Sequence, residues 1–408
     1  MTSSQIFIGI GLTFGLAVLC QIIATRLRIP AIILLLPAGF LAGAATKTVN
    51  PNHIFGSAFS PLVSLGVAII LFDGGLDLRF EELEGPHRRV VRRLLDLGVP
   101  LTGAAAGLFA WLLLGLSSRA AAMLGAILIV SGPTVVGPIL DQARPRRQLR
   151  AILSWEGSMI DPIGAIIGVL TYQAIKTGLW QHPGKEVLHF LGNIGVGILG
   201  GAVGAVVLWV LLRKLKLSGV LATQAILATV IVVAASCNAF RDETGLLAAI
   251  TMGVAMANFS GSDIPKDRPF FQTAVQLTIG LLFISISATV TPASLKGLVA
   301  ATIALVACLV LIVRPVVTAL ATARSSLSLR ERAFIGMMDP RGIVAASTAA
   351  TFGAPLVQAH IGGAGKILPV TFLVIMLTVL VYGLSAVPAV NALGLKEESP
   401  AESRTSDG

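Results

Sequence analysis

Thirteen apolar stretches, each about 17 to 25 residues long and joined by short polar connections, leave this chain few ways to fold in water. They lie near residues 5–25, 30–46, 60–78, 95–116, 120–140, 150–175, 189–212, 219–237, 243–260, 272–290, 295–320, 331–353 and 367–391. Hydrophobic residues make up 55% of the 408 and charged residues only 12%, a balance that excludes an ordinary soluble globule. The fold class expected is an all-α polytopic membrane protein of about 13 transmembrane helices. Residues 1–395 read as a single transmembrane domain, because no connection is long enough to hold a second one. Residues 396–408, "KEESPAESRTSDG", read as a short disordered tail.

The opening "MTSSQIFIGIGL" has no basic residue before Arg26, so the first segment reads as a retained span and not as a cleavable signal peptide. Cys20, Cys237 and Cys308 are scattered singly through apolar segments, without the spacing of a metal site or a disulfide framework.

A net charge of +10 would suit a nucleic-acid partner, but the positions of the charges point to a membrane. The basic clusters at 88–93, 144–150 and 213–216 follow odd-numbered segments. Loops after even-numbered segments hold only Lys47, Arg119, Lys176, Lys185, Arg241, Lys296 and Lys366. The positive-inside rule then puts the amino terminus outside and the carboxyl terminus in the cytoplasm, in a bacterial inner (cell) membrane. In "GPHRRVVRRLLDLG", Arg88, Arg89, Arg92 and Arg93 share one helical face and read as an interfacial helix against anionic lipid.

Two arginines, Arg314 and Arg341, and four acids, Asp73, Glu156, Asp161 and Asp339, fall inside apolar segments. A charge at that depth costs at least a few kcal/mol and faces a partner or water. Two of the acids are therefore expected to neutralise the arginines, leaving at least one to do work. In "SWEGSMIDPIGAII", Glu156 and Asp161 are five residues apart and point about 140° away from each other on a helix. They do not form a shared acid pair, and the division favoured gives Asp161 an ion and Glu156 an arginine. Asp339 stands two residues from Arg341 as a local partner for it.

Segments five and twelve carry helix breakers in mid-span: Gly132, Pro133, Gly137 and Pro138 in one, Gly336, Pro340 and Gly342 in the other. Unwound backbone is tolerated in a membrane only where it lines a cavity or meets protein. The two segments are seven apart, so two six-helix repeats of opposite orientation, joined by one linking helix, would put them at matching places.

The motifs "LFDGGLDL" (71–78), "SGPTVVGPIL" (131–140), "WEGSMIDPIGA" (155–165), "ETGLLAAITMGVAMAN" (243–258), "VRP" (313–315) and "DPRGIVAAS" (339–347) occur in an order and spacing that resembles the monovalent cation/proton antiporters of the bacterial NhaP and eukaryotic NHE type. The resemblance implies a homodimer of thirteen-helix protomers, each with a core of crossed, unwound helices moving against a dimerisation subdomain. It makes Asp161 the ion-binding aspartate, Glu156 the partner of Arg314, Arg341 the arginine at the break of helix twelve, and Asp73 an acid on the ion path. The chain departs from the pattern at Ile160, where relatives have Asn, and at Ser131-Gly132-Pro133, where they have Thr-Asp-Pro.

The function expected is alternating-access exchange of Na+, K+ or Li+ for protons, electroneutral and one for one, with no cofactor. Asp161 would hold a proton or a cation, assisted by the hydroxyl of Ser131 and the carbonyls around Gly132 and Thr134. An organic-anion or solute carrier of similar fold is the second reading; its arginines would bind substrate. A channel would move no protons. An intramembrane enzyme lacks a nucleophile–base pair or a metal motif.

Overall fold

The structure, a computed structural model, describes residues 3–27, 29–46, 49–76, 86–177, 183–241, 244–258 and 269–397. Among these residues the chain is helical throughout, the one β-type contact being an isolated antiparallel bridge between Pro145 and Lys396. The helices are α1 (Ser3–Leu27), α2 (Ile32–Ala45), α3 (Pro51–Phe55), α4 (Phe59–Leu76), α5 (Pro86–Leu114), α6 (Ser118–Ile127), α7 (Pro133–Ala143), α8 (Arg147–Thr177) and α9 (Pro183–Trp209). They continue as α10 (Gly219–Phe240), α11 (Thr244–Asn258), α12 (Pro269–Ala288), α13 (Pro292–Leu295), α14 (Val299–Cys308), α15 (Arg314–Thr322), α16 (Leu329–Gly336), α17 (Ile343–Gln358) and α18 (Ile367–Leu393).

Nine helical stretches among the described residues are long and apolar enough to cross a bilayer, and α2, α11 and α17 are shorter apolar helices. Their outer faces are greasy. Only 22% of the apolar window of α1 and 28% of those of α9 and α10 are buried, against 73% for α8, so α8 is central and the others turn side chains such as Phe7, Leu199 and Val232 outward. An apolar surface on that scale belongs in hydrocarbon.

The fifth and twelfth apolar segments are each two half-helices. α6 stops at Ile127, and α7 begins at Pro133 after Gly132, whose extended backbone (φ −86°, ψ 147°) starts the new helix. Proline suits this first turn because its missing N–H has no helical partner to lose. α16 stops at Gly336, and α17 begins after Gly342 (φ −123°, ψ −164°). The eleventh segment is continuous but changes pitch. A π-helical turn, Leu309–Val313, joins α14 to α15 just ahead of Pro315, which has no N–H for the preceding turn.

Two features depart from the sequence expectation. The basic stretch at 88–93 is not a separate interfacial helix: it forms the first turns of α5, whose 29 residues span about 43 Å and exceed the hydrocarbon thickness. Val90, Val91 and Leu94 of those turns are buried in protein, while Arg88, Arg89 and Arg92 are exposed. The start of the expected tail is also fixed. Lys396 bridges Pro145, the amide of Glu397 donates to the carbonyl of Arg144, and Arg147 Nε donates to Glu397 Oε1 at 2.8 Å. Residues 398–408 lie outside the described residues.

Candidate functional site

Asp161 lies in the middle of α8 and is fully buried, and neither of its carboxylate oxygens has a hydrogen-bond partner among the described residues. Its direction follows from its neighbours. Gly164 and Gly168, three and seven residues on, share its face of the helix. A β-carbon at Gly164 would lie 2.2 Å from Val130 Cγ2, and one at Gly168 would lie 2.9 Å from Thr348 Cγ2. Only glycine permits so close an approach. Tyr172, one turn further, stacks on Phe352 with centroids 4.7 Å apart. The face carrying Asp161 is therefore pressed onto the break between α6 and α7 and onto α17.

Proline leaves main-chain oxygens short of their helical partners on α8 and on α7. Pro162 has no N–H to give the carbonyl of Ser158, and Pro138 has none for Thr134, four residues earlier in each case. The Ser131 side chain is buried beside the break. The carbonyl of Gly132, by contrast, accepts the amides of Val135 and Val136, both at 3.1 Å, so both its lone pairs serve α7 and it is a poor ion ligand. The sequence reading missed the Ser158 carbonyl, although the Ser-x-x-x-Pro spacing was there to be read.

The buried arginines near the two breaks have partners. Arg314 forks onto Glu156, Nη1 to Oε1 at 2.5 Å and Nη2 to Oε2 at 2.8 Å, and its Nε donates to the carbonyl of Ile335 at 3.2 Å. Both side chains are buried, and the pair ties α8, α15 and the end of α16 together. Arg341 Nη1 donates to Asp339 Oδ1 at 2.8 Å and to the carbonyl of Ile129 at 3.4 Å, and its backbone amide donates to Thr378 Oγ1 on α18 at 3.2 Å. The structure thus brings Glu156 to Arg314 and Asp339 to Arg341, and pairs neither arginine with Asp161. Asp73 is half-buried near the end of α4, where Gly75 packs on Gly253 of α11 so closely that a β-carbon at Gly253 would strike the carbonyl of Phe72. The side chain of Thr134 lies outside the described side chains.

A cavity of about 1040 Å³ lies between α1, α2 and α12 on one side and α7 and α18 on the other. Its lining runs from Arg144 and Lys396 past Asp141 to Pro138, one turn from Thr134, and to Phe283. Among the described residues no three His, Cys, Asp or Glu side chains group as a metal centre.

The sodium/hydrogen exchanger transmembrane family model matches residues 14–392. The probable Na+/H+ antiporter 2 of Methanocaldococcus jannaschii is 23% identical over 91% of this chain and 93% of its own length. The K+/H+ antiporter NhaP2 of Shewanella baltica is 27% identical over 95% of this chain, which spans only 66% of that longer protein. The K+/H+ antiporter NhaP of Alkalimonas amylolytica is 27% identical over 82% of this chain, with 58% of its own length matched. In architecture the chain is similar to the sodium proton antiporter MjNhaP1 of M. jannaschii solved at pH 8, with a TM-score of 0.78, 21% identity, and coverage of 96% of this chain and all of that one. Nearly the whole chain is matched, and this multi-pass membrane protein belongs to the sodium/hydrogen exchanger family.

Proposed function

We propose that this protein exchanges a monovalent cation, Na+, K+ or Li+, for a proton at Asp161. The observation that carries the reading is that Asp161 is a fully buried carboxylate whose two oxygens have no partner among the described residues, on the face of α8 packed against the α6/α7 break and α17, while Arg314 and Arg341 each have a carboxylate of their own. A buried carboxylate in that position binds a proton or a cation, because either satisfies it. Hard monovalent cations take oxygen ligands. Asp161, the Ser131 hydroxyl and the Ser158 and Thr134 carbonyls supply them, and Gly132 lets the backbone turn. Asp73 lies on the ion path.

Access alternates. The cavity beside α7 is the route to one side, and the core containing α6–α8 and α16–α18 moves against a subdomain that includes α1, α2 and α12. The relatives carry Na+/H+ and K+/H+ antiporter in their names, which supports the exchange and leaves the cation open. The remaining reading is of thirteen crossings in a single domain over residues 1–395, with the amino terminus outside and the basic loops and carboxyl terminus in the cytoplasm. The protein is a homodimer in the cell membrane, embedded in lipid and without a cofactor. The carrier reading loses ground because neither arginine is free to bind an organic anion. Purified protein in proteoliposomes, with a pH-sensitive dye inside and each chloride salt added in turn, tests the reading. Proton flux is expected with at least one of the three cations, and none with choline.

A further inference from the structure

α6 and α16 are the two half-helices that stop inside the apolar slab, and the carbonyls at their ends lack the partners that a further α-helical turn would give, although the carbonyl of Ile335 also accepts the amide of Met338 at 3.2 Å. Those ends also carry the negative pole of the helix. An arginine meets both. Arg314 donates to the carbonyl of Ile335 at the end of α16 and takes Glu156 as its counter-charge. Arg341 donates to the carbonyl of Ile129 just past the end of α6 and takes Asp339. The two devices have the same parts: a buried guanidinium, one carboxylate, and one carbonyl at a helix terminus.

They differ in what lies next to them. Ile129 is followed by Val130, the residue pressed against Gly164, one turn along α8 from Asp161. Arg341 is 1% exposed, so water does little to screen it, and without Asp339 its positive charge would act on the nearest buried anion. We infer that Asp339 is a positioning residue for cation binding: it holds Arg341 against the end of α6 and cancels its charge, so that Asp161 alone sets the charge of the exchange site. This deepens the exchange reading and rests on it.

Exchange is measured in proteoliposomes for the wild type, Asp339→Glu, Asp339→Asn and the double variant Asp339→Asn/Arg341→Gln, with folding checked by size-exclusion elution in detergent. Asp339→Asn leaves a buried positive charge near the site, and the cation KM is expected to rise about tenfold while the maximal rate changes little. Asp339→Glu keeps the charge and a KM within about twofold of wild type. The double variant removes both charges and is expected to return the KM close to the wild-type value. A merely structural Asp339 would lower the amount of folded protein and leave the KM of the surviving fraction unchanged. If Asp339→Asn does not fold, the double variant decides: folded with a wild-type KM supports the inference, and misfolded or folded with a raised KM overturns it. An unchanged KM in Asp339→Asn overturns it alone, whereas a wild type without cation-dependent proton flux overturns the exchange reading and takes this inference with it.

Discussion

The two terminal nitrogens of Arg314 meet the two carboxylate oxygens of Glu156 at 2.5 and 2.8 Å, across 158 positions of sequence. A planar fork matched to a carboxylate in this way is among the stronger polar contacts a protein makes. Both partners are buried, so the pair tolerates the loss of neither one. Glu156→Gln leaves the guanidinium unpaired and is expected to lower stability by about 3–5 kcal/mol. Thermal unfolding in detergent would show the drop, and the cation preference of the protein that survives should be unaltered. A stable variant with changed cation affinity would instead move Glu156 into the ion site.

Asp161→Asn is expected to have the opposite character. The amide has nearly the shape of the carboxylate but can neither release a proton nor hold a cation by charge. It also needs neither a proton nor a cation to be neutral where it is buried, so the variant should fold and unfold at a temperature equal to or above that of the wild type. Cation-dependent proton flux should fall to the level of empty liposomes. Flux that persists would exclude Asp161 as the exchanging group.

Much of this arrangement can be read from the sequence, for physical reasons that differ from feature to feature. The breaks at Gly132-Pro133 and at Pro340–Gly342 are visible because glycine and proline act on the backbone locally. The five-residue offset between Glu156 and Asp161 sends them to different neighbours on any helix, so their separation was legible without coordinates. The contact of Arg341 with Ile129 was not, because a main-chain carbonyl acceptor is the same chemical group at every position. Nor was the continuity of α5. The amphipathic run at 88–93 looks like a helix of its own, and only the burial of Val90, Val91 and Leu94 shows that protein covers the face opposite the arginines. The π-helical turn before Arg314 has no signal beyond Pro315.

The contact between Gly164 and Val130 gives a test of the crossing that touches no charge. A methyl group at position 164 would fall 2.2 Å from Val130 Cγ2 and 3.4 Å from its Cβ. Gly164→Ala must therefore push the break away from α8, at a cost of about 1–3 kcal/mol for overpacking, and slow exchange by disturbing the geometry around Asp161. Val130→Ala removes the methyl groups that clash, so the double variant should recover stability and rate together. Gly164→Ala alone with wild-type exchange would mean that the approach of α8 to the break is not needed for transport.

The last prediction concerns charge movement. Arg314 and Arg341 are each paired with a carboxylate of their own, Glu156 and Asp339. Asp161 is then the group that changes occupancy, holding one proton in one half of the cycle and one cation in the other. The loaded site carries the same net charge in both directions, so transport should be electroneutral. A net charge carried across the whole membrane would feel about 2.3 kcal/mol for every 100 mV, enough to change the rate steeply. Exchange in vesicles clamped with potassium and valinomycin, using Na+ or Li+ as the transported ion, should run at the same rate at 0 and −100 mV, chosen as about the size of a resting potential. Competition for a single site also shapes the pH dependence. At low pH protons displace the cation and at high pH they become scarce, giving a bell-shaped rate profile whose acid limb moves to lower pH as the cation concentration is raised. A sustained current on a solid-supported membrane, reversing with the cation gradient, would show that a second charge moves, and Asp73 would be the first residue to replace in search of it.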